Sequence, residues 1–166
     1  MNAKLAVSAV LAAAAVTLAS VAAAGPVATK QRVAFDVKIL PQGTFVLTPF
    51  TAGALKRDLG TVSGNWRSIS GREVMRDGQK VTIYNGLWTF TGKRGTLTIR
   101  ERNELVDIGN DGNFDGQQDE IGIGTWTVVR GTGAYAAIKG SGRSAHEGLG
   151  RVWFARYEGV LTVPRG

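Results

Sequence analysis

Apolar and polar residues alternate with a period of two along most of the chain after residue 24. No segment of useful length repeats apolar residues at spacings of three and four, which would indicate an amphipathic helix. Because successive side chains of a strand face opposite sides of a sheet, the alternation predicts strands with one buried face. The predicted strands span residues 33–39, 44–48, 58–66, 81–90, 96–107, 121–129, 138–143 and 151–163.

Turn-forming residues separate these strands. Asp77-Gly78 lies between a short run at 73–76 and the strand at 81–90, and this pair tolerates the positive φ angles of a type I′ hairpin turn. The letters KRG at 93–95 predict a second turn, and GTGAYAA at 131–137 predicts a tight turn leading into one turn of helix. Roughly eight strands with hardly any helix favour a sandwich or a closed barrel, architectures that limit exposed strand edges.

The first 24 residues have the composition of a secretory signal peptide. Lys4 gives a basic start, residues 5–21 are almost wholly apolar, and the alanines at 22–24 supply the small residues of a cleavage site. A permanent membrane anchor is the less favoured alternative, because the apolar run is short and rich in alanine. We therefore expect one domain, residues 25–166, that is secreted or periplasmic and keeps no stable membrane anchor.

Composition excludes several classes of protein. Of 166 residues, 43% are hydrophobic and 20% are charged, and the chain has no cysteine. These values exclude a collagen, a coiled coil and a disulfide scaffold. The 20 Lys and Arg residues exceed the 13 Asp and Glu residues, which gives a net charge of +7. Because the basic residues are scattered and form no aromatic-basic platform, we expect a solvated basic surface and no nucleic-acid partner.

The C-terminal third carries a sequence motif. It reads GTWTVVRGTGAY at 124–135, then GSGR at 140–143 and WFARYEG at 153–159. In residues 121–163 the chain thereby resembles the allene oxide cyclase and dirigent-protein barrels. The resemblance implies an all-β fold, an eight-stranded antiparallel β-barrel, with an apolar lumen for a lipid- or phenol-derived ligand and a trimer as the possible homo-oligomer. It carries over no catalytic residue. In the motif, the glycines permit a tight reversal and Tyr135 is placed to plug one barrel end.

One acidic loop follows the first half of a calcium-binding pattern. The letters DGNFDG at 111–116 place oxygen-bearing side chains at positions one, three and five and a glycine at six. Position twelve is a glycine where a bidentate Glu is expected, although residues 119 and 120 offer further carboxylates. The candidate ligands of a structural Ca²⁺ are Asp111, Asn113, Asp115 and Asp119. The alternative is an acidic turn-rich loop without a metal, and no other cofactor is expected.

His146 is the only histidine of the chain. Together with the absence of cysteine, this excludes the usual zinc sites and argues against metal-dependent hydrolysis. Ser144 and Glu147 lie nearby in sequence, but the chain has no Gly-x-Ser-x-Gly elbow to present a nucleophile. We therefore expect a loop histidine near the mouth of a barrel.

The strand at 96–107 brings a carboxylate onto an apolar face. Glu101 shares its face with Leu97, Ile99 and Leu105, whereas Glu104 lies on the opposite face. An inward Glu101 could serve as a general acid or base, or as a polar anchor for a ligand. The favoured alternative is an inward Glu paired with an arginine, with Arg156 as the available partner.

Aromatic residues occupy strand positions throughout the predicted domain. Trp153, Tyr157 and Leu161 alternate onto one face, and such residues either line a cavity or fill a small barrel. The leading hypothesis is a secreted barrel that binds a small apolar ligand in its lumen without strong catalysis. Alternatives are a cyclase or stereochemical guide acting on a lipid- or phenol-derived intermediate, and an exported structural or surface-interaction domain. The candidate lining residues are Glu101, Trp88, Trp126, Trp153 and Tyr157.

Overall fold

A computed structural model describes residues 28–39, 43–65, 71–109, 119–149 and 152–164, and these residues form a single antiparallel sheet. One 3₁₀ turn at Gly133–Tyr135 is the helical element of this part of the chain. The strands are β1 (Thr29–Ile39), β2 (Thr44–Pro49), β3 (Asp58–Asn65), β4 (Arg72–Arg76), β5 (Gln79–Gly92), β6 (Gly95–Gly109), β7 (Asp119–Gly131), β8 (Lys139–Leu149) and β9 (Val152–Val163).

Eight of the nine strands close into a ring. The order across the sheet is β3-β2-β1-β9-β8-β7-β6-β5-β4, and β3 also pairs with β5. The second half of β5 pairs with β3 and its first half pairs with β4, so β4 extends the sheet beside the ring. Ring closure gives the strands partners on both sides, which removes the exposed edges that an open sheet would have.

The all-β prediction and the predicted turns are confirmed. Asp77 and Gly78 have φ angles of 50° and 79°, the positive values that the β4–β5 hairpin needs. Residues 133–135 form the expected turn of helix. The strand predicted at 138–143 is longer than expected, because β8 continues to Leu149. The predicted signal peptide at 1–24 lies outside the described residues.

One half of the ring interior is an apolar core rich in aromatic side chains. Phe90 lies 5.1 Å from Phe35 and 5.3 Å from Phe45 between ring centroids, and 5.8 Å from Tyr157. Trp126 packs edge-on against Phe35 at 5.8 Å. These side chains alternate inward along their strands, as the sequence pattern predicts, and they fill this half of the ring.

The end of the ring beside this core is sealed by two buried polar contacts. The Tyr135 hydroxyl donates a hydrogen bond of 2.8 Å to Asp58, which also accepts the backbone N–H groups of Leu59, Lys93 and Arg94. The side-chain amide of Gln31 donates a hydrogen bond to the carbonyl oxygen of Thr51 and accepts one from the backbone N–H of Leu55. Tyr135 therefore fills the end of the ring, in agreement with the role that its position in the motif predicts.

Candidate functional site

The half of the ring away from Tyr135 has a polar interior. On β6 the alternation that turns Ile99 inward also turns Glu101 and Asn103 inward, two and four residues further on. On β8 the same spacing brings Ser144 and His146 to the inner face. These four side chains are buried, and Glu101 lies at their centre.

Glu101 accepts hydrogen bonds from side chains on three other strands. Its Oε2 accepts the indole N–H of Trp88 at 2.8 Å and the hydroxyl of Tyr157 at 3.0 Å. Its Oε1 accepts the hydroxyl of Ser144 and lies 2.6 Å from Nε2 of His146. Each carboxylate oxygen therefore has two partners, although Glu101 is only 1% exposed.

This hydrogen bonding is what makes a buried carboxylate tolerable. An ionised group removed from water is strongly destabilising unless its oxygens are paired and bonded. Burial raises the pKa of Tyr157 well above its ordinary value, and the charge of Glu101 and the hydrogen bond to it act in the same direction. Tyr157 is therefore a neutral donor at any physiological pH.

The geometry differs from that of a hydrolase triad. In a triad the histidine stands between the serine and the carboxylate, so that it can take the proton of the serine. Here the carboxylate stands between them, because Ser144 and His146 both contact Oε1 of Glu101. Ser144 is therefore a donor to Glu101, and the arrangement does not activate it as a nucleophile.

Two glycines of β7 allow side chains of β6 and β8 to meet. Strands β6 and β8 are separated by β7, so their backbones are about 9–10 Å apart. A Cβ at Gly124 would lie 2.6 Å from Oγ of Ser144 and 3.1 Å from Oε1 of Glu101. A Cβ at Gly122 would lie 3.0 Å from Oδ1 of Asn103. The side chains of Glu101, Asn103 and Ser144 thus extend over β7 at positions where β7 has no side chain of its own.

The indole rings of the candidate tryptophans lie against glycines of other strands. A Cβ at Gly64 would be 1.9 Å from the ring of Trp88, and one at Gly148 would be 2.9 Å from the ring of Trp153. For Trp88 this close approach accompanies the hydrogen bond from its N–H to Glu101. Glycine in these strands thus serves the packing of large rings, which is one of its ordinary uses in a sheet.

Three buried polar atoms of the site have no hydrogen-bond partner among the described residues. They are Nδ2 and Oδ1 of Asn103, and Nδ1 of His146. Asn103 is 1% exposed and His146 is 5% exposed, so solvent at the surface does not satisfy them. An unpaired buried polar group costs about 1–3 kcal/mol, and folded proteins contain few of them. The side chains around Glu101 therefore include hydrogen-bonding groups that no other described residue uses.

Several sequence-based predictions can be compared with this geometry. Glu101 points inward as expected, and Trp88 and Tyr157 lie together with it in the polar cluster. Trp126 belongs to the apolar core and donates its N–H to the carbonyl oxygen of Arg143, and Trp153 is only half-buried.

Two expectations about the site are wrong. Arg156 does not pair with Glu101, because it faces outward and binds Asp36 and Glu158, each at 2.7 Å. His146 is not a loop residue, because it lies on β8 with its side chain buried against Glu101.

Sequence reasoning missed Ser144, His146 and Asn103 as members of one site. The available signal was their spacing. Ser144 and His146 are two residues apart, as are Glu101 and Asn103, so a strand puts each pair on one face.

The structure does not test the proposed calcium loop. Asp111, Asn113 and Asp115 lie outside the described residues, and Asp119 is buried at the beginning of β7. Among the residues that are described, no group of three or more His, Cys, Asp and Glu side chains is placed to hold a metal ion. Calcium binding at 111–119 stays a prediction.

Comparison with family models, with curated proteins and with solved structures found no significant match for this chain. Within the described part of the chain, no helix is long and apolar enough to cross a membrane. The functional interpretation therefore depends on the residues of the ring interior.

Proposed function

We propose that this protein is an exported β-barrel that binds a small, mostly apolar molecule carrying a hydrogen-bonding group. The observation that carries the proposal is the set of unpaired buried atoms on Asn103 and His146 beside the Glu101 carboxylate. Export rests on the predicted signal peptide at 1–24. The resemblance of residues 121–163 to the allene oxide cyclase and dirigent barrels supports the barrel and the ligand class, and a homo-oligomer remains an expectation from it.

The packing of the interior supports the polar half of the ring as the site of the proposed ligand. Aromatic side chains occupy the apolar half, where Phe35 packs against both Phe90 and Trp126. The polar half holds the buried amide of Asn103 and the Glu101 carboxylate, which is bonded to the side chains of Trp88 and Tyr157. Such a site combines a few convergent polar groups with aromatic walls, as small-molecule sites generally do.

The electrostatics of the site favour a neutral or cationic ligand. Glu101 brings a carboxylate into the interior, and its close neighbours at Oε1 are Ser144 and His146. Nε2 of His146 lies against that carboxylate, whereas Nδ1 has no hydrogen-bond partner among the described residues. An anionic ligand would face Glu101 at close range in a medium of low dielectric constant, where repulsion is strong.

A fragment screen by ligand-observed NMR tests the proposal. The purified exported protein would be mixed with small neutral amphipathic fragments, and saturation transfer would report binding. We expect hits that disappear in Asn103→Leu and persist in Arg102→Leu, because Arg102 is the neighbouring outward and exposed residue of β6. Absence of hits, or hits that Asn103→Leu does not affect, would contradict the proposal.

A specific observation favours an enzyme as the second candidate function. The Glu101–His146 pair, with 2.6 Å between Oε1 and Nε2, is a hydrogen-bonded acid–base dyad of the kind that moves protons in isomerases and cyclases. Its test is the exchange of the α-protons of cyclohexanone for deuterium in D₂O. Exchange that the wild type accelerates and Glu101→Gln does not would support the enzyme. Equal rates with both proteins and with buffer would leave ligand binding as the function.

A purely structural role for the barrel is less well supported. Buried polar clusters in a scaffold can often be replaced by apolar side chains without loss of stability. A scaffold therefore has no need of unpaired groups on Asn103 and His146. The fragment screen separates the two roles, because a scaffold would give no site-specific hits.

A further inference from the structure

The side-chain amide of Asn103 presents a two-point hydrogen-bonding edge. An amide carries an N–H donor and a C=O acceptor side by side in one plane. Both polar atoms of Asn103 are buried and have no partner among the described residues. The complement of such an edge is another amide in the cis arrangement, which offers a C=O to the N–H and an N–H to the C=O.

The surroundings of Asn103 select against other polar groups. Gly124 is the cross-strand neighbour of Asn103, and a Cβ there would lie 3.1 Å from Oε1 of Glu101. A carboxylate ligand at Asn103 would therefore lie near a second negative charge. An ester or a ketone would satisfy Nδ2 of Asn103 but leave Oδ1 without a donor.

The side chains of Leu105 and Asn103 lie over a glycine of β7. A Cβ at Gly122 would lie 2.2 Å from Cδ2 of Leu105 and 3.0 Å from Oδ1 of Asn103. On β8, His146 is the cross-strand partner of Gly122, so its unpaired Nδ1 belongs to the same region. A planar ring that binds Asn103 at one edge would thus lie in the region of His146, and a ring with a single N–H would leave Nδ1 of His146 unpaired.

We propose that the site binds neutral molecules with a cis-amide edge, namely lactams and cyclic imides, through paired hydrogen bonds to Asn103. This inference rests on the proposed ligand-binding function and adds its chemical class. The Asn103 amide would bind the edge of a lactam more tightly than groups that only accept or only donate a hydrogen bond.

The test compares δ-valerolactam with N-methyl-δ-valerolactam and cyclohexanone by calorimetric titration of the purified exported protein. The three rings are similar in size, and only the first has the N–H beside its C=O. We expect at least tenfold weaker binding of the N-methyl lactam and of the ketone, because each leaves Oδ1 of Asn103 unpaired. This comparison uses the wild-type protein and does not depend on the folding of a variant.

The outcomes separate this inference from the proposed function. Equal binding of the lactam and its N-methyl form would overturn the lactam class. Binding of hydroxyl or cationic fragments alone, still abolished by Asn103→Leu, would overturn the class but keep the site. No binding by any probe would overturn both. Lactam binding that Asn103→Leu abolishes and Arg102→Leu leaves unchanged would support both.

Discussion

The buried amides of Asn103 and Gln31 allow a direct test of the site. Gln31 is fully buried and bonded, since it accepts the N–H of Leu55 at 2.7 Å and donates to the carbonyl of Thr51 at 3.0 Å. Asn103 is equally buried but has no partner at either amide atom among the described residues. Replacing Gln31 by an apolar residue of similar size should therefore lower stability, whereas replacing Asn103 should leave stability unchanged or raise it.

The expected magnitudes follow from the hydrogen bonds. Gln31→Met leaves a buried N–H on Leu55 and a carbonyl on Thr51 without their partner, and each costs about 1–3 kcal/mol. We expect a loss of about 2–4 kcal/mol in the free energy of unfolding. Asn103→Leu removes two atoms that are already unpaired, and imperfect packing costs less than about 1.5 kcal/mol. We expect Asn103→Leu to be unchanged or more stable by about 1–2 kcal/mol.

Urea denaturation followed by circular dichroism would measure both variants without added ligand. Equal slopes of free energy against urea would show that the comparison concerns stability and not the compactness of the unfolded chain. In thermal melts a gain of 1–2 kcal/mol corresponds to an increase in Tm of about 3–8 °C for a domain of this size. A loss of 1 kcal/mol or more in Asn103→Leu would refute the reasoning, because it would mean that the protein itself supplies partners for Asn103.

Three further predictions concern the polar interior. Glu101→Gln should lower the free energy of unfolding by about 2–4 kcal/mol in urea titrations, because one amide cannot accept all four hydrogen bonds; an unchanged midpoint would contradict this. Gly124→Ala should lower the free energy of unfolding by about 1–3 kcal/mol, because the added Cβ clashes with Ser144 and Glu101. The control Thr125→Ala changes an outward side chain of the same strand and should stay within about 0.5 kcal/mol of the wild type in the same assay. Burial alone would raise the pKa of Asp58, but the hydrogen bonds from Tyr135 and from three backbone N–H groups outweigh this effect and leave the pKa below 3.8. Asp58 therefore contributes stability that is present above about pH 4 and is lost as pH falls through the folded-state pKa. Tyr135→Phe should move this acid loss to higher pH in urea midpoints measured between pH 2 and 7, and an identical pH profile would contradict the assignment.

The sequence was sufficient to predict the face on which side chains lie wherever the inward positions of a strand are apolar. On β9, Trp153, Tyr157 and Leu161 are four residues apart, and the structure places them on one face. On β6 the apolar residues around Glu101 fix the face on which it lies, so its inward direction follows from the alternation alone. Hydrophobic periodicity is therefore a reliable guide to the apolar half of this ring.

The sequence was insufficient to predict the extent of a strand where its inner face is made of glycines and polar residues. The inner face of β8 carries Gly142, Ser144, His146 and Gly148, none of which is a hydrophobic signal. The alternation therefore predicts a loop after residue 143, and His146 is wrongly predicted to lie in that loop. The partner of Glu101 was misassigned for a related reason. Arg156 has the charge that a buried carboxylate attracts, but it lies between Ala155 and Tyr157, which are buried, so the alternation puts Arg156 outside.

Asp58 and Glu101 are buried carboxylates with different roles, which can be inferred from their donors. Asp58 accepts three backbone N–H groups and Tyr135, so it fixes the turn between β5 and β6 and the sealed end of the ring. Glu101 accepts hydrogen bonds from side chains alone, and one of these, His146, keeps a free nitrogen at Nδ1. Loss of Asp58 should therefore affect folding, whereas loss of Glu101 should also change the orientation of the side chains bonded to it, which form the proposed ligand site. A carboxylate that holds side chains in place, beside unpaired atoms of Asn103, is what a binding site requires and a structural core does not.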